Sequence, residues 1–178
     1  MVYLFLADGC EEVEALTTVD LLRRADVDVR TVSIMGRRNV IGSHKIEIMA
    51  DTVFEDINGT AEMLILPGGM PGTTNLAAHV GLDQMIREYA GQGRYLAAIC
   101  AAPTVYGEKG LLTGKKATCY PGMEKGLTGA IVSNDKVVVD GNVITSRGLG
   151  TAIDFALKLI EILKDKTLAD SIAEKIVY

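Results

Sequence analysis

The stretch "VYLFLADGCEEVEALTTVDLLRRADVDVRTVSIM" (residues 2–35) reads as strand, helix, strand. Residues 2–7 form an apolar run of strand length, and residues 11–25 follow with apolar positions at helical spacing. That spacing predicts a buried face made of Ala15, Leu16, Val19 and Leu22. Residues 29–35 return as a second strand. Two strands joined by one helix make a βαβ unit with parallel strands and a right-handed crossover. The class that follows is α/β with a mainly parallel sheet.

The same alternation continues to the end of the chain. Residues 46–51 read as a short polar strand at a sheet edge, and residues 62–69 as a strand running into Pro67, Gly68 and Gly69. An amphipathic helix over 81–92 precedes a strand over 95–100, and a helix from Pro103 to about Leu112 precedes a strand over 115–120. Asp140-Gly141, set between two β-branched runs at 137–145, signals a small β-hairpin. Ile153, Ala156, Leu157, Ile160 and Leu163 mark a long helix over the sheet, with a short last helix in 168–177. No repeat or linker interrupts the pattern, so the 178 residues are expected to fold as one domain, 1–178.

Composition narrows the function classes. Eighteen Lys and Arg face 23 Asp and Glu, a net charge of -5 with no basic block, which argues against nucleic acid and anionic membranes as partners. The apolar runs are strand-sized, and Asp8 closes the first, so neither a signal peptide nor a membrane span is expected and the location is read as cytoplasmic. Three widely spaced cysteines, Cys10, Cys100 and Cys119, suggest reduced thiols. The two histidines, His44 and His79, lie at no metal-ligand spacing from a Cys or from each other and read as solvent-facing loop residues; no metal site is expected.

In an open parallel sheet the ligand crevice lies beyond the carboxyl ends of the strands. Three segments fall there: "DGCEEVE" (8–14), "PGGMPG" (67–72) and Cys100 with its small neighbours. Ala98-Ile99-Cys100-Ala101-Ala102 has the small-x-nucleophile-x-small form of a strained strand-to-helix elbow. Pro103 suits the first turn of the next helix. At a helix N-terminus the thiolate is favoured, and the Cys100 pKa is expected below its ordinary value of about 8.5. The bland alternative is that Cys100 is a small buried hydrophobe. The backbone N–H groups of Gly69 and Ala101 are candidate oxyanion donors beside the sulfur. Glu11 and Glu12 read as acids stabilising a first helical turn, whereas Glu14, one turn on from Glu11, is a candidate for a raised pKa and a proton-shuttling role. "GGMPG" and "GLLTGKK" match neither a dinucleotide nor a phosphate loop.

"GCEEVEALTTVDLLRRA", "LILPGGMPGTTNL", "AAICAAPTV", "ATCYPG" and "VITSRGLGTAIDFAL" together resemble the DJ-one/ThiJ/PfpI family, in its DJ-one branch, over almost the whole chain. The resemblance implies a flavodoxin-like three-layer sandwich, similar to class I glutamine amidotransferases, and a homodimer. It implies a catalytic or oxidisable cysteine at Cys100, a glutamate touching its sulfur at Glu14, and oxyanion donors at Gly69 and Ala101. Peptidases and amidotransferases of this fold pair the nucleophile with a histidine. Here Ala101 follows Cys100, and Tyr120 stands where animal members carry a histidine, so Cys-His hydrolysis is not expected. Leu149 replaces a proline found in some relatives, and Arg147 either holds a substrate oxygen or has a structural role, the latter favoured.

The activity implied is cofactor-independent glyoxalase or deglycase chemistry on methylglyoxal and related reactive carbonyls. Tyr120 would then hydrogen-bond the substrate carbonyl or wall the pocket. The rival is an oxidative-stress sensor or redox-regulated chaperone in which Cys100 becomes a sulfinate. A thiazole-phosphate reaction, suggested by the ThiJ name, lacks any phosphate-binding feature here.

Overall fold

The computed structural model describes residues 1–178. Five parallel strands form its spine: β1 (Val2–Leu6), β2 (Val29–Ser33), β6 (Met63–Leu66), β7 (Tyr95–Ile99) and β11 (Val143–Ser146). β5 (Thr52–Val53) adds to the β2 edge in parallel, and β10 (Val137–Asp140) closes the other edge antiparallel to β11. The order is β10-β11-β7-β6-β1-β2-β5.

Alternation along β1 shows how the layers are built. Leu4 and Leu6 point to one face, Tyr3 and Phe5 to the other, and all are fully buried because the sheet is covered on both sides. On the first face lie α1 (Glu12–Arg24), α5 (Ala152–Leu163) and α6 (Lys166–Lys175), packing Ala15, Leu22, Phe155, Leu159 and Ile160 onto the strands. On the second lie α2 (Gly72–Ala78), α3 (Val80–Gly91) and α4 (Pro103–Glu108), contributing Leu76, Leu82, Ile86 and Tyr106. The result is the expected flavodoxin-like three-layer sandwich. Tyr106 also donates its buried hydroxyl to the Ala97 carbonyl at 3.1 Å, tying α4 back to the strand that leads into Cys100.

Several expectations are corrected. Leu16 is 43% exposed, because the buried stripe of α1 runs through Ala15, Thr18, Val19, Leu21 and Leu22. The polar strand near 46–51 is β4 (Glu47–Met49), which pairs with β3 (Asn39–Ile41) in a separate hairpin rather than at the sheet edge. β8 (Lys116–Ala117) likewise pairs off the main sheet, with β9 (Ile131–Val132). α4 ends at Glu108, four residues early, where the chain turns through Gly110 at φ +76°. α2 was not anticipated. The hairpin forms, but Asp140 pairs with Val143, so its two-residue loop is Gly141-Asn142 with Gly141 at positive φ.

Candidate active site

The parallel strands bring the ends of β1, β6 and β7 to one rim of the sheet. Cys100 follows β7 directly and sits at φ +65°, a left-handed conformation costly for a residue with a side chain. Two hydrogen bonds hold it there. Its N–H donates to the Ser146 carbonyl at 3.0 Å, and its carbonyl accepts from the Tyr120 N–H at 2.7 Å. The sulfur is thereby turned out of the strand, half-buried.

Glu14 reaches this sulfur from the first turns of α1. The side chain of Glu11 caps the helix by accepting the Glu14 N–H at 2.8 Å. Glu14 itself is 1% exposed, and its Oε2 accepts the Gly68 N–H at 2.9 Å. Gly68 is the joint of the site. A Cβ there would lie 2.5 Å from the Cys100 Cβ, 2.7 Å from Glu14 Oε2 and 3.0 Å from the Cys100 Sγ. Only glycine lets the three groups meet. Gly69 and Ala101 lie on either side of the Cys100 sulfur, and their backbone N–H groups pull its pKa down.

The electrostatics differ from the sequence expectation. Burial pushes the Glu14 carboxyl up to about 7, helped by the Glu11 charge and opposed by the Cys100 and Gly68 hydrogen bonds. The Cys100 thiol is also pushed up, to about 12, first by burial and then by the Glu14 charge, against the lowering pull of Gly69 and Ala101. The helix expected to favour the thiolate begins only at Pro103 and is six residues long. The pair therefore holds a thiol next to a carboxyl that ionises near neutrality, with hydrogen-bond donors ready for negative charge on the sulfur side.

Tyr120 is 51% exposed and lies beside Gly148, where a Cβ would be 3.3 Å from its ring and 3.9 Å from Glu14 Oε1. That Glu14 oxygen is buried without a hydrogen-bond partner. Tyr120, Pro121, Arg147 and Leu149 line a shallow cavity of about 270 Å³. Arg147 donates from Nη1 to the Asn134 carbonyl at 2.9 Å, a loop-bracing bond in keeping with the structural reading. Cys119 is buried, its Sγ 3.4 Å from the Tyr120 carbonyl, and burial pushes its thiol up to about 11.

The sequence reading missed one cluster entirely. Glu12 is 2% exposed and accepts the His44 N–H at 2.7 Å and its Nδ1 at 3.0 Å, gripping the loop that follows β3. Burial would raise the Glu12 pKa, but the bonds to His44 and the neighbouring N–H groups hold it down at about 2. Glu11, Glu12 and His44 present ligand atoms within 4.8 Å of one another and are the residues that could hold a metal, although they already bind each other. No spacing rule finds them, since His44 is far from the glutamates in sequence. His79 is no free loop residue: its Nδ1 caps α3 by accepting the Leu82 N–H at 3.0 Å.

A flavodoxin-like sandwich with a strained cysteine elbow beside a buried glutamate defines a narrow class of α/β protein. The family model described as DJ-1/PfpI family matches residues 1–162. Protein DJ-1 homolog B of Arabidopsis thaliana is 39% identical over 97% of this chain, which spans only 40% of that longer protein. Glutathione-independent glyoxalase DJR-1.2 of Caenorhabditis elegans is 32% identical over 93% of this chain and 89% of its own. The structure of oxidised Toxoplasma gondii DJ-1 superimposes with a TM-score of 0.96 at 36% identity, covering 99% of this chain and 97% of its own. The chain belongs to the DJ-1/PfpI family. No helix is long and apolar enough to cross a membrane.

Proposed function

We propose that this protein is a glutathione-independent glyoxalase, with deglycase-like scope, that uses Cys100 as nucleophile and Glu14 as proton carrier. The observation that carries the reading is the meeting of Cys100, Glu14 and the Gly69 and Ala101 N–H groups around Gly68. The named activity of the nematode relative supports it.

In this reading the Glu14 carboxylate takes the thiol proton as sulfur adds to the aldehyde carbon of methylglyoxal. The new S–C bond leaves a hemithioacetal oxyanion, which the Gly69 and Ala101 N–H groups stabilise. Glu14 gives its proton to that oxygen, then moves the C1 proton to C2 through an enediol. The result is a thioester of the 2-hydroxy acid. Water cleaves the S–C bond, releasing lactate and restoring the thiol, so methylglyoxal plus water gives lactic acid with no redox change. A carboxyl with a pKa near the working pH suits both halves of this transfer. Tyr120, across Gly148 from Glu14, would wall the pocket or donate to the substrate carbonyl.

The rival sensor reading needs a thiolate that peroxide attacks readily. The same Cys100 sulfur would serve that reading, and turnover separates the two, since a sensor has no need to form lactate. A homodimer is proposed from family membership, with Val13 and Leu16, 44% and 43% exposed on α1, as the apolar contact; light scattering reads the mass directly. The direct test of the enzyme reading is lactate formation without glutathione, which Cys100→Ala is expected to abolish.

A further inference from the structure

The first turn of α1 and the loop between β3 and β4 bring four donor atoms to one place. Glu12, 2% exposed, sets Oε2 3.0 Å from His44 Nδ1 and 3.2 Å from Ser43 Oγ, and that hydroxyl lies 3.1 Å from the same ring nitrogen. Glu11 is 9% exposed and gives its Oε2 to the Glu14 N–H. Its Oε1 accepts no hydrogen bond and faces His44 Nδ1 from 3.8 Å, too far to receive one. Gly42 lets the loop approach this closely, since a Cβ there would overlap the Glu12 carboxylate.

The charges are left unbalanced. Two nearly buried carboxylates stand side by side, and the one cationic partner of either is His44, whose side chain is 71% exposed. No lysine or arginine pairs with them. A carboxylate withdrawn from water costs free energy until an opposite charge meets it, and its field is stronger there. Cys10, next to Glu11 in the chain, feels that field: burial and the Glu12 and Glu11 charges push its thiol up to about 12.

The spacing suits a single ion. Imidazole and carboxylate ligands lie about 2.0–2.2 Å from zinc in a tetrahedral shell, which sets neighbouring donors roughly 3.3–3.6 Å apart. The separations from His44 Nδ1, 3.0 Å to Glu12 Oε2 and 3.8 Å to Glu11 Oε1, bracket that range, and the three ligand atoms all fall within 4.8 Å of one another. Ser43 Oγ stands beside the fourth position. One imidazole with two carboxylates and no thiolate is a donor set for zinc or manganese, not for copper(I), and it is too small for calcium, which takes six to eight oxygens.

We propose that Glu11, Glu12 and His44 form a site for a zinc-class divalent cation, which staples the β3–β4 loop to the first turn of α1. The ion takes the Nδ1 lone pair and the oxygens that face it, so the ring carries its proton on Nε2, on the solvent side. The Glu12 bond from Nδ1 is given up. Glu11 Oε2 and Glu12 Oε1 keep the Glu14 and His44 N–H groups they hold now. The site is independent of the chemistry assigned to Cys100.

The test uses zinc ion alone with full-length Cys100→Ala protein, whose two remaining thiols are buried. Calorimetry should find one ion per chain. His44→Ala and Glu12→Gln should each weaken binding more than about tenfold, a loss already typical of residues that only support a ligand. His44 is exposed, so its variant should melt like the parent without metal; undiminished zinc affinity in that variant would overturn the site. A second readout locates the ion. The chain has two histidines, and His79 Nδ1 is engaged elsewhere, capping α3. In nitrogen-15 spectra of the imidazoles, zinc should shift His44 Nδ1 and leave His79 unmoved. No zinc binding in the Cys100→Ala protein, or binding that leaves His44 Nδ1 unmoved, would equally overturn the site.

Discussion

Gly68 donates its N–H to Glu14 Oε2 at 2.9 Å, and its Cα lies so close that a side chain would reach 2.7 Å from the same oxygen. The backbone of one residue thus orients the carboxyl and makes room for it. Gly68→Ala should displace Glu14, Cys100 or both, since neither neighbour is the flexible end of a long side chain. Overpacking of this kind costs about 1–3 kcal/mol. Loss of alignment should lower kcat/KM about 100-fold. Denaturant melts and steady-state kinetics on one preparation read both.

Glu14 should set the pH profile of activity. As a base it works ionised, so kcat/KM is expected to rise with pH through an apparent pKa of about 7. Glu14→Gln should lower turnover by about 10²–10⁴ and remove that limb. Unchanged turnover in this variant would eliminate the proton-carrying role.

Stability should move the opposite way. The folded-state pKa of Glu14 is raised from 4.5 to about 7, so the native state holds its proton more tightly than the unfolded chain. That contribution is complete below pH 4.5 and is lost as pH rises through 7. Melting temperature should fall across this window in the wild type and fall less in Glu14→Gln. Glu12 has the reverse sign. Held at about 2, it stabilises above its ordinary value of 4.5 and loses that contribution as pH falls toward 2. Glu12→Ala should cost about 1–3 kcal/mol and speed amide exchange of the His44 N–H, which Glu12 accepts.

Cys100 should alkylate slowly. With burial and Glu14 pushing its thiol to about 12, iodoacetamide at neutral pH should react with it more than about tenfold more slowly than with free cysteine. Glu14→Gln removes the opposing charge and should speed the reaction. A fast wild-type thiol would contradict a protonated resting Cys100.

The layered fold was legible because its signals are local. Residues 2–35 carry strand, helix and strand spacing in full, and the DJ-one-type motifs anticipated the family to which the chain belongs. Glu14, Gly69, Cys100 and Ala101 were singled out as strand-end residues, and the structure brings them together. What failed was non-local. The Cys100 pKa depends on how deeply the sheet buries the sulfur and on Glu14 arriving from another element. Gly68 stands in the sequence only as part of the Pro67-Gly68-Gly69 end of a strand, because its steric role exists only once Glu14 and Cys100 flank it. Two-residue strands such as β5 and β9 carry too little pattern to be seen, and Leu16 shows that an apolar residue one step off the buried stripe faces outward.

The most direct measurement is lactate formed from methylglyoxal in the absence of glutathione, with wild type and Cys100→Ala at equal concentration. The account predicts turnover in the wild type and none in the variant. Equal activity in the two proteins, or none in either, would contradict it.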